Sequence, residues 1–213
     1  MKTIFLIRHA NQYKEIIYEK SKLNDYDKNL LIPLSCEGEE NAKLMTYKYF
    51  CNNINHLYSS EYSRAINTAK YISESNNIPV NICSDFNERK LGNTNGVNEN
   101  FWLEQLKNEN VKTIDGESQK DVRDRMLNGL LKVLKNTNDN ESVVIVSHAT
   151  AITFLLMNWC DLISASLEGK KRHLKYKNKT IMNGTFKTPE VFKLTFLPNN
   201  QIIDIEIITK GGD

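Results

Sequence analysis

The chain has 213 residues, of which 40% are hydrophobic and 25% charged, as in ordinary globular proteins. Its formal net charge of +2 gives no argument for a nucleic-acid or membrane partner. No apolar stretch approaches the ~20 residues that span a bilayer, and the four cysteines lack the spacing of a zinc site or a disulfide framework. We therefore expect one cytoplasmic domain over 1–213, without a metal or cofactor. Its oligomeric state stays open.

Strand and helix signals alternate along the first half of the chain, as they do in α/β proteins. Residues 2–7 form a continuous apolar run that is typical of a strand buried on both faces. Ser35 is placed to cap a helix over 36–52. The pattern then predicts a short strand at 55–59, a helix at 61–75, a strand near 80–84 and a weaker helix at roughly 98–109.

The clearest helix is predicted at about 118–136. Ser118 and Asp121 resemble a capping box at its start. Apolar residues recur at helical spacing behind that cap and should face the core: Val122, Met126, Leu130, Val133 and Leu134. A second buried strand at 143–147, an apolar helix at 149–159 and a hairpin of 190–197 with 201–209 complete the pattern.

These elements predict an α/β fold, a three-layer sandwich whose mostly parallel central sheet is flanked by helices. Longer insertions are expected near 12–33, 93–116 and 163–183. The basic run 170–179 in the last of them is interpreted as solvated, with attraction of an anionic substrate or partner as the alternative. Phe101 and Trp102, after the irregular stretch, suit either a lid over a substrate or ordinary packing.

Two histidines stand at the ends of the two buried strands. His9 follows Arg8 at the end of the first strand, and His148 stands in the same relation to 143–147. Ligands of open α/β sheets bind at the carboxyl ends of strands. A neutral imidazole attacks phosphorus, and a guanidinium matches phosphate oxygens. The pair therefore indicates phosphate chemistry on a histidine, although either histidine alone is more often structural.

The region between the histidines adds a second cation. Arg64 falls in the first turn of the helix predicted at 61–75, where backbone N–H groups also favour an anion. In isolation Arg64 is better interpreted as a solvated surface residue. The argument therefore depends on the ensemble of residues and not on any one of them.

The ordered motifs resemble the histidine phosphatase superfamily, also called the phosphoglycerate mutase-like family. Leu6-Ile7-Arg8-His9-Ala10 resembles its Arg-His-Gly or Arg-His-Ala opening, and Ser147-His148-Ala149 resembles its Ser-His-Gly segment. The family's other segments are matched, in order, by 33–38, 59–69, 88–96 and 116–118. The resemblance covers roughly residues 1–155.

The resemblance implies a role for each matched position. His9 would take the phosphoryl group, while Arg8, Arg64 and His148 would hold its oxygens. Glu88 would protonate the leaving oxygen and then activate water, since one carboxyl group alternates between both protonation states. Without the resemblance, Glu88 would be interpreted as a surface glutamate in a polar loop.

Three positions depart from the usual family pattern. Ala10 and Ala149 stand where glycine is commoner, so their methyl groups put the shape of the site in question. Asn11 replaces an acidic residue or glutamine, and is predicted to bind phosphate or to cap the turn.

The sequence therefore predicts a metal-independent phosphomonoesterase that acts on a small phosphorylated substrate through a phosphohistidine on His9. A cofactor-dependent mutase of the phosphoglycerate type is one alternative. It is less favoured because Leu91 replaces the tyrosine of the mutase motif. A non-catalytic phosphate-binding protein is the other.

Overall fold

The computed structural model describes residues 1–15 and 23–208. Its strands are β1 (Lys2–Arg8), β2 (His56–Ser59), β3 (Val80–Ile82), β4 (Ser142–Ser147), β5 (Asp161–Ala165), β6 (Lys171–Tyr176), β7 (Lys179–Thr185), β8 (Glu190–Phe196) and β9 (Ile202–Ile207). A six-stranded sheet has the order β3-β2-β4-β1-β8-β9. The pairs from β3 to β1 are parallel, and β8 and β9 are added antiparallel. The prediction of a mostly parallel central sheet is confirmed.

The helices cover both faces of this sheet. They are α1 (Asp25–Leu31), α2 (Cys36–Met45), α3 (Ser63–Asn76), α4 (Phe101–Lys107), α5 (Gln119–Lys135) and α6 (Ala149–Leu156). Short 3-10 helices lie at Tyr49–Cys51 and Ser84–Phe86. Ser118 and Asp121 form the predicted capping box of α5. The helix predicted over 36–52 ends at Met45, where threonine and tyrosine residues with low helix propensity follow.

Alternation along β1 divides the interior into two cores. Ile4 and Leu6 pack into a cluster with residues of α5 and α6, while Phe5 and Ile7 pack into a cluster with residues of α3. Successive side chains of a strand point to opposite faces, so a strand that is apolar throughout must be covered on both. The predicted three-layer sandwich follows from this pattern and is confirmed.

The insertion predicted near 163–183 is a second sheet. Strands β5, β6 and β7 pair antiparallel over 161–185. In β6, Arg172, Leu174 and Tyr176 are buried, whereas Lys171 is exposed. The interpretation of the basic run 170–179 as solvated is therefore wrong for Arg172, because the period-2 geometry of a strand turns it inward.

The first insertion, near 12–33, contains α1, which the sequence pattern did not predict. Residues 16–22 of that insertion and residue 209 of the predicted hairpin lie outside the described residues. The four cysteines are free thiols. Within residues 1–15 and 23–208, no helix has the length and apolar character to cross a membrane, and no His, Cys, Asp and Glu side chains are grouped as metal ligands.

Two adjacent leucines of α5 test which face of this helix packs into the core. Leu130 is 1% exposed and Leu131 is 46% exposed. We expect Leu130→Ala to lower the free energy of unfolding by about 2–5 kcal/mol, because it leaves a cavity. Leu131→Ala is the matched control and should change it by less than about 0.5 kcal/mol. Urea unfolding of both variants measures the difference, and equal losses would contradict the placement of α5.

Candidate active site

The two strand-end histidines meet because β1 and β4 are neighbours. In their parallel register Arg8 lies opposite Ser147, so the next residue on each strand is a histidine. The His9 N–H donates to the Ser147 carbonyl at 3.0 Å and continues the ladder by one bond. The ring centroids of His9 and His148 are 5.0 Å apart. The structure thus brings together the two residues that the sequence singled out first.

The hydrogen bonds of His9 define its tautomer. Nδ1 lies 2.7 Å from the Ala10 carbonyl oxygen, which only accepts, so Nδ1 carries the proton. Nε2 then has a lone pair, and Nε of Arg64 donates to it at 3.1 Å. Burial, followed by the positive charge of Arg64, holds the pKa of His9 well below its usual value. The side chain is therefore a neutral imidazole with a lone pair on Nε2.

His148 is fully buried beside it. Its Nε2 lies 2.7 Å from the Ser60 hydroxyl oxygen, and the Tyr62 ring packs edge-on at 4.6 Å between centroids. Burial, then the charge of Arg64, also holds the pKa of His148 well below its usual value. Nδ1 of His148 has no hydrogen-bond partner among the described residues.

Two arginines approach the histidines from different elements. Arg64, in the first turn of α3, donates through Nη1 to the Asn29 carbonyl at 2.7 Å. Arg8 donates through Nη1 to the carbonyls of Phe186 at 2.8 Å and Lys187 at 3.2 Å, in the segment after β7. Its buried Nε has no partner in the described part of the chain. Both predicted phosphate-binding arginines therefore lie at the histidine pair.

Glu88 reaches the same place through the start of α6. Its Oε1 accepts from the Ala151 N–H at 3.0 Å, and its Oε2 accepts from the Thr150 N–H at 3.4 Å. Because α6 begins directly after His148, one helix start positions both residues. The negative charge of Glu88 acts on Arg8 and on Arg64. The carboxylate is thus part of the cluster and not a surface residue of a loop.

An ion pair that sequence reasoning missed holds the segment before Glu88. Arg125 of α5 pairs with both carboxylate oxygens of Glu117, at 2.7 and 2.9 Å. It also donates to the carbonyls of Asp85, Asn87 and Glu88. Glu117 belongs to segment 116–118, which the sequence analysis matched to the family. Arg125 lies in no sequence motif, and its role becomes visible only from its position on the face of α5 that packs against 85–88.

Two of the residues that depart from the family pattern, Ala10 and Asn11, make contacts within the protein. The Ala10 methyl lies in a buried cluster with Leu34 and Ala42. The Asn11 carbonyl accepts from the Ser35 N–H at 2.9 Å, and its side chain lies 3.5 Å from Asn41 Nδ2. The predicted contact of Asn11 with phosphate stays a prediction.

A cavity of about 860 Å³ opens next to this cluster. Asn29, which accepts from Arg64, and Tyr62, which contacts His148, lie in its wall. The wall otherwise consists mainly of polar residues from α1 and from 89–94, with Asp115. An organic group attached to a phosphate at the histidines therefore has room and polar surroundings.

The chain matches a protein-family model and a known protein. Residues 4–184 match the model of the histidine phosphatase superfamily (branch 1). The chain is 33% identical over 130 residues to an uncharacterized phosphatase, PhoE, of Bacillus subtilis. That match covers 59% of this chain and 63% of the relative, so it spans less than two thirds of the relative's length.

Solved structures share the fold at low sequence identity. A mycobacterial glucosyl-3-phosphoglycerate phosphatase in complex with VO3 superimposes with a TM-score of 0.67 at 16% identity, over 100% of both chains. A phosphoserine phosphatase from Entamoeba histolytica, in complex with 3-phosphoglyceric acid, gives 0.63 at 16% identity over 98% of both chains. At these identities the likeness supports the fold alone.

The buried histidines predict a dependence of stability on pH. The folded-state pKa values of His9 and His148 are lowered, so below about pH 6.5 the unfolded chain binds more protons than the folded one. The contribution of these two histidines to stability should be complete above that pH and should fall below it, by up to about 1.4 kcal/mol per pH unit for each, while Glu190, whose pKa burial raises to about 7, adds a smaller slope of opposite sign. Urea unfolding between pH 7.5 and 5.5 measures the slope.

Variants assign that slope to the histidines. We expect His148→Asn to reduce it, because one of the two proton-binding differences is lost. Leu130→Ala is the control, since it should lower the stability by the same amount at each pH. A slope that is identical in wild type and His148→Asn would show that His148 does not resist protonation in the folded state.

Proposed function

The chain belongs to the histidine phosphatase superfamily, and we propose that it is a phosphomonoesterase that forms a phosphohistidine on His9 without a metal ion. The observation that carries the proposal is the state of His9. Its neutral ring has a lone pair on Nε2, which lies 3.1 Å from Nε of Arg64 and beside His148. A nucleophile next to positive charge is what phosphoryl transfer requires.

In the first step, Nε of Arg64 transfers its hydrogen bond from Nε2 of His9 to a phosphoryl oxygen, and the freed lone pair forms a bond to phosphorus while the bond from phosphorus to the ester oxygen breaks. The electron pair of that bond goes to the ester oxygen, which takes the proton of the Glu88 carboxyl group and leaves as an alcohol. The Nδ1–H of His9 keeps its bond to the Ala10 carbonyl, which stabilises the positive charge that grows on the ring.

The transferred group needs donors for its oxygens. Nε of Arg8 and Nδ1 of His148 are buried and have no acceptor among the described residues, and a buried polar group without a partner is costly. The Ser60 hydroxyl can either donate to Nε2 of His148 or accept from it, and the tautomer in which it donates leaves the proton on Nδ1, which is the tautomer that the proposal requires. Phosphoryl oxygens would satisfy both donors, and preorganised donors of this kind supply much of the rate enhancement.

In the second step, the Glu88 carboxylate takes a proton from water as the water oxygen attacks phosphorus. The bond from phosphorus to Nε2 breaks, its electron pair returns to the ring, and inorganic phosphate leaves. Glu88 is again protonated and His9 again neutral, so the cycle closes without an oxidant, a reductant or a cofactor.

The cavity indicates the kind of substrate. Its volume of about 860 Å³ fits a small organic group, and its amide, hydroxyl and charged groups can hydrogen-bond a polar one, although more of the wall's surface is apolar than polar. Two structures of this fold come from phosphatases of glucosyl-3-phosphoglycerate and of phosphoserine, which are small polar esters. We propose a small polar phosphate monoester, acted on in the cytoplasm, where free cysteines are usual.

Hydrolysis of p-nitrophenyl phosphate in EDTA tests the nucleophile. We expect wild-type turnover to persist in EDTA and His9→Ala to lose at least about 10³-fold, because it removes the atom that bonds to phosphorus. His173→Ala, on β6 of the small sheet, is the control and should keep wild-type activity. Turnover that survives in His9→Ala would overturn the mechanism.

A wild type that fails to hydrolyse p-nitrophenyl phosphate would contradict the phosphatase proposal. Conversion of 3-phosphoglycerate only in the presence of 2,3-bisphosphoglycerate would then identify a mutase. Binding of vanadate without turnover of any ester would identify a phosphate-binding protein.

The acid role of Glu88 is tested by leaving-group dependence. A nitrophenolate leaves without protonation, whereas an alkoxide needs a proton. We expect Glu88→Gln to lower kcat/KM for 2-glycerol phosphate by about 10²–10⁴-fold and to affect that for p-nitrophenyl phosphate much less, because kcat/KM excludes the later hydrolysis of the phosphohistidine that both esters share. Glu104→Gln, an exposed residue of α4, is the control. Equal losses on both esters would rule out Glu88 as the acid.

A further inference from the structure

A buried arginine of the small sheet is bound to the start of α6. Arg172 of β6 is 8% exposed. Its Nε donates to the Gly169 carbonyl at 2.6 Å, and its Nη2 donates to the Thr150 hydroxyl at 3.2 Å. Its Nη1 donates to the Ala149 carbonyl at 3.2 Å and to the Thr153 hydroxyl. The guanidinium is thus used by the protein itself and is not left free for a substrate.

The turn that Arg172 binds is the turn that holds Glu88. The N–H groups of Thr150 and Ala151 donate to the Glu88 carboxylate, and Arg172 binds the Thr150 hydroxyl and the preceding carbonyl of Ala149. The position of Glu88 therefore depends on the conformation that Arg172 imposes on three consecutive residues.

The positive charge of Arg172 needs an explanation beyond these bonds. Its hydrogen-bond acceptors are neutral carbonyls and hydroxyls, which a neutral donor would serve at a lower desolvation cost. Burial lowers its pKa to about 10, while the charge of Glu88 acts in the opposite direction. Arg89 and Arg8 disfavour the charge, so Glu88 is the group that favours a cation there.

We propose that Arg172 is a positioning residue for Glu88, which rests on the proposed function of Glu88 as acid and base. Arg172 fixes the N–H groups of Thr150 and Ala151 and keeps a positive charge near the carboxylate. That charge stabilises the carboxylate that forms on Glu88 as its proton passes to the leaving oxygen.

Arg172 connects the small sheet of β5, β6 and β7 to Glu88. The 163–183 insertion reaches the site through the side chain of Arg172. Arg172 shares the inward face of β6 with Leu174 and Tyr176. Leu174 and Tyr176 pack into the core that also contains residues of α6. The hydrophobic contacts of these neighbours hold β6 against the helix, so the guanidinium has a fixed distance to its first turn.

A double-mutant cycle separates positioning from folding. Arg172→Met, Arg172→Lys, Glu88→Gln and the double variant of Arg172→Met with Glu88→Gln are assayed on p-nitrophenyl phosphate and on 2-glycerol phosphate, beside thermal unfolding. We expect Arg172→Met to lower kcat/KM for 2-glycerol phosphate by roughly 10–100-fold and to spare that for p-nitrophenyl phosphate, since kcat/KM reports only the step in which the leaving oxygen needs the proton of Glu88. In the Glu88→Gln background it should cause little further loss, because the group that it positions is gone.

The control is Lys171→Met, which removes an exposed positive charge from the adjacent residue of the same strand and should keep wild-type rates on both esters. Arg172→Lys keeps the charge with fewer donors and should recover part of the loss on 2-glycerol phosphate. It also supplies the test if Arg172→Met does not fold.

The outcomes are distinguishable. Equal losses on both esters that add to those of Glu88→Gln would show that Arg172 serves folding alone, and would overturn the inference. Arg172→Lys with the activity of Arg172→Met on 2-glycerol phosphate would contradict the role of the charge. If Glu88→Gln itself shows no leaving-group dependence, the proposed function of Glu88 fails and the inference falls with it.

Discussion

The parallel pairing of β1 with β4 is the constraint on which the site depends. Hydrogen bonds along the two strands fix Arg8 opposite Ser147, and the next residue on each strand is a histidine. A slip of one residue would turn the side chains to opposite faces and separate the rings. The apolar cores on both sides of β1 oppose such a slip, because Ile4 and Phe5 would exchange environments. Hydrophobic packing thus determines the geometry of the two imidazoles.

Burial gives these polar residues their chemical state. Burial and the charge of Arg64 both lower the pKa of His9, so the ring stays neutral and keeps a lone pair on Nε2, to which Nε of Arg64 donates. The same burial makes unpaired donors such as Nε of Arg8 costly. The fold accepts a loss of stability at the site and thereby keeps the proposed nucleophile and the proposed phosphate donors in place. The pairing of Arg125 with Glu117 compensates nearby by fixing the backbone that leads to Glu88.

Features of the fold that depend on local sequence patterns could be predicted from the sequence. The ends of β1 and β4 follow from continuous apolar runs, and the start of α5 follows from its capping box, so these elements and the two histidines were placed correctly. Arg125 and Arg172 were not recognised, because their partners lie far along the chain. One signal for Arg172 was present: it has the same strand parity as Leu174 and Tyr176. High lysine content around it concealed that alternation.

An insertion in an α/β fold is commonly regarded as a determinant of specificity, since loops carry binding residues while the sheet supports them. The contacts of Arg172 suggest a second role for this one. The first turn of α6 must satisfy the Glu88 carboxylate through the N–H groups of Thr150 and Ala151, yet a helix of eight residues has little rigidity of its own. A guanidinium bound to the Ala149 carbonyl and to the threonine hydroxyls supplies that rigidity from outside the helix. On the proposal made above, the small sheet contributes to the chemistry through Arg172, which binds the protein itself.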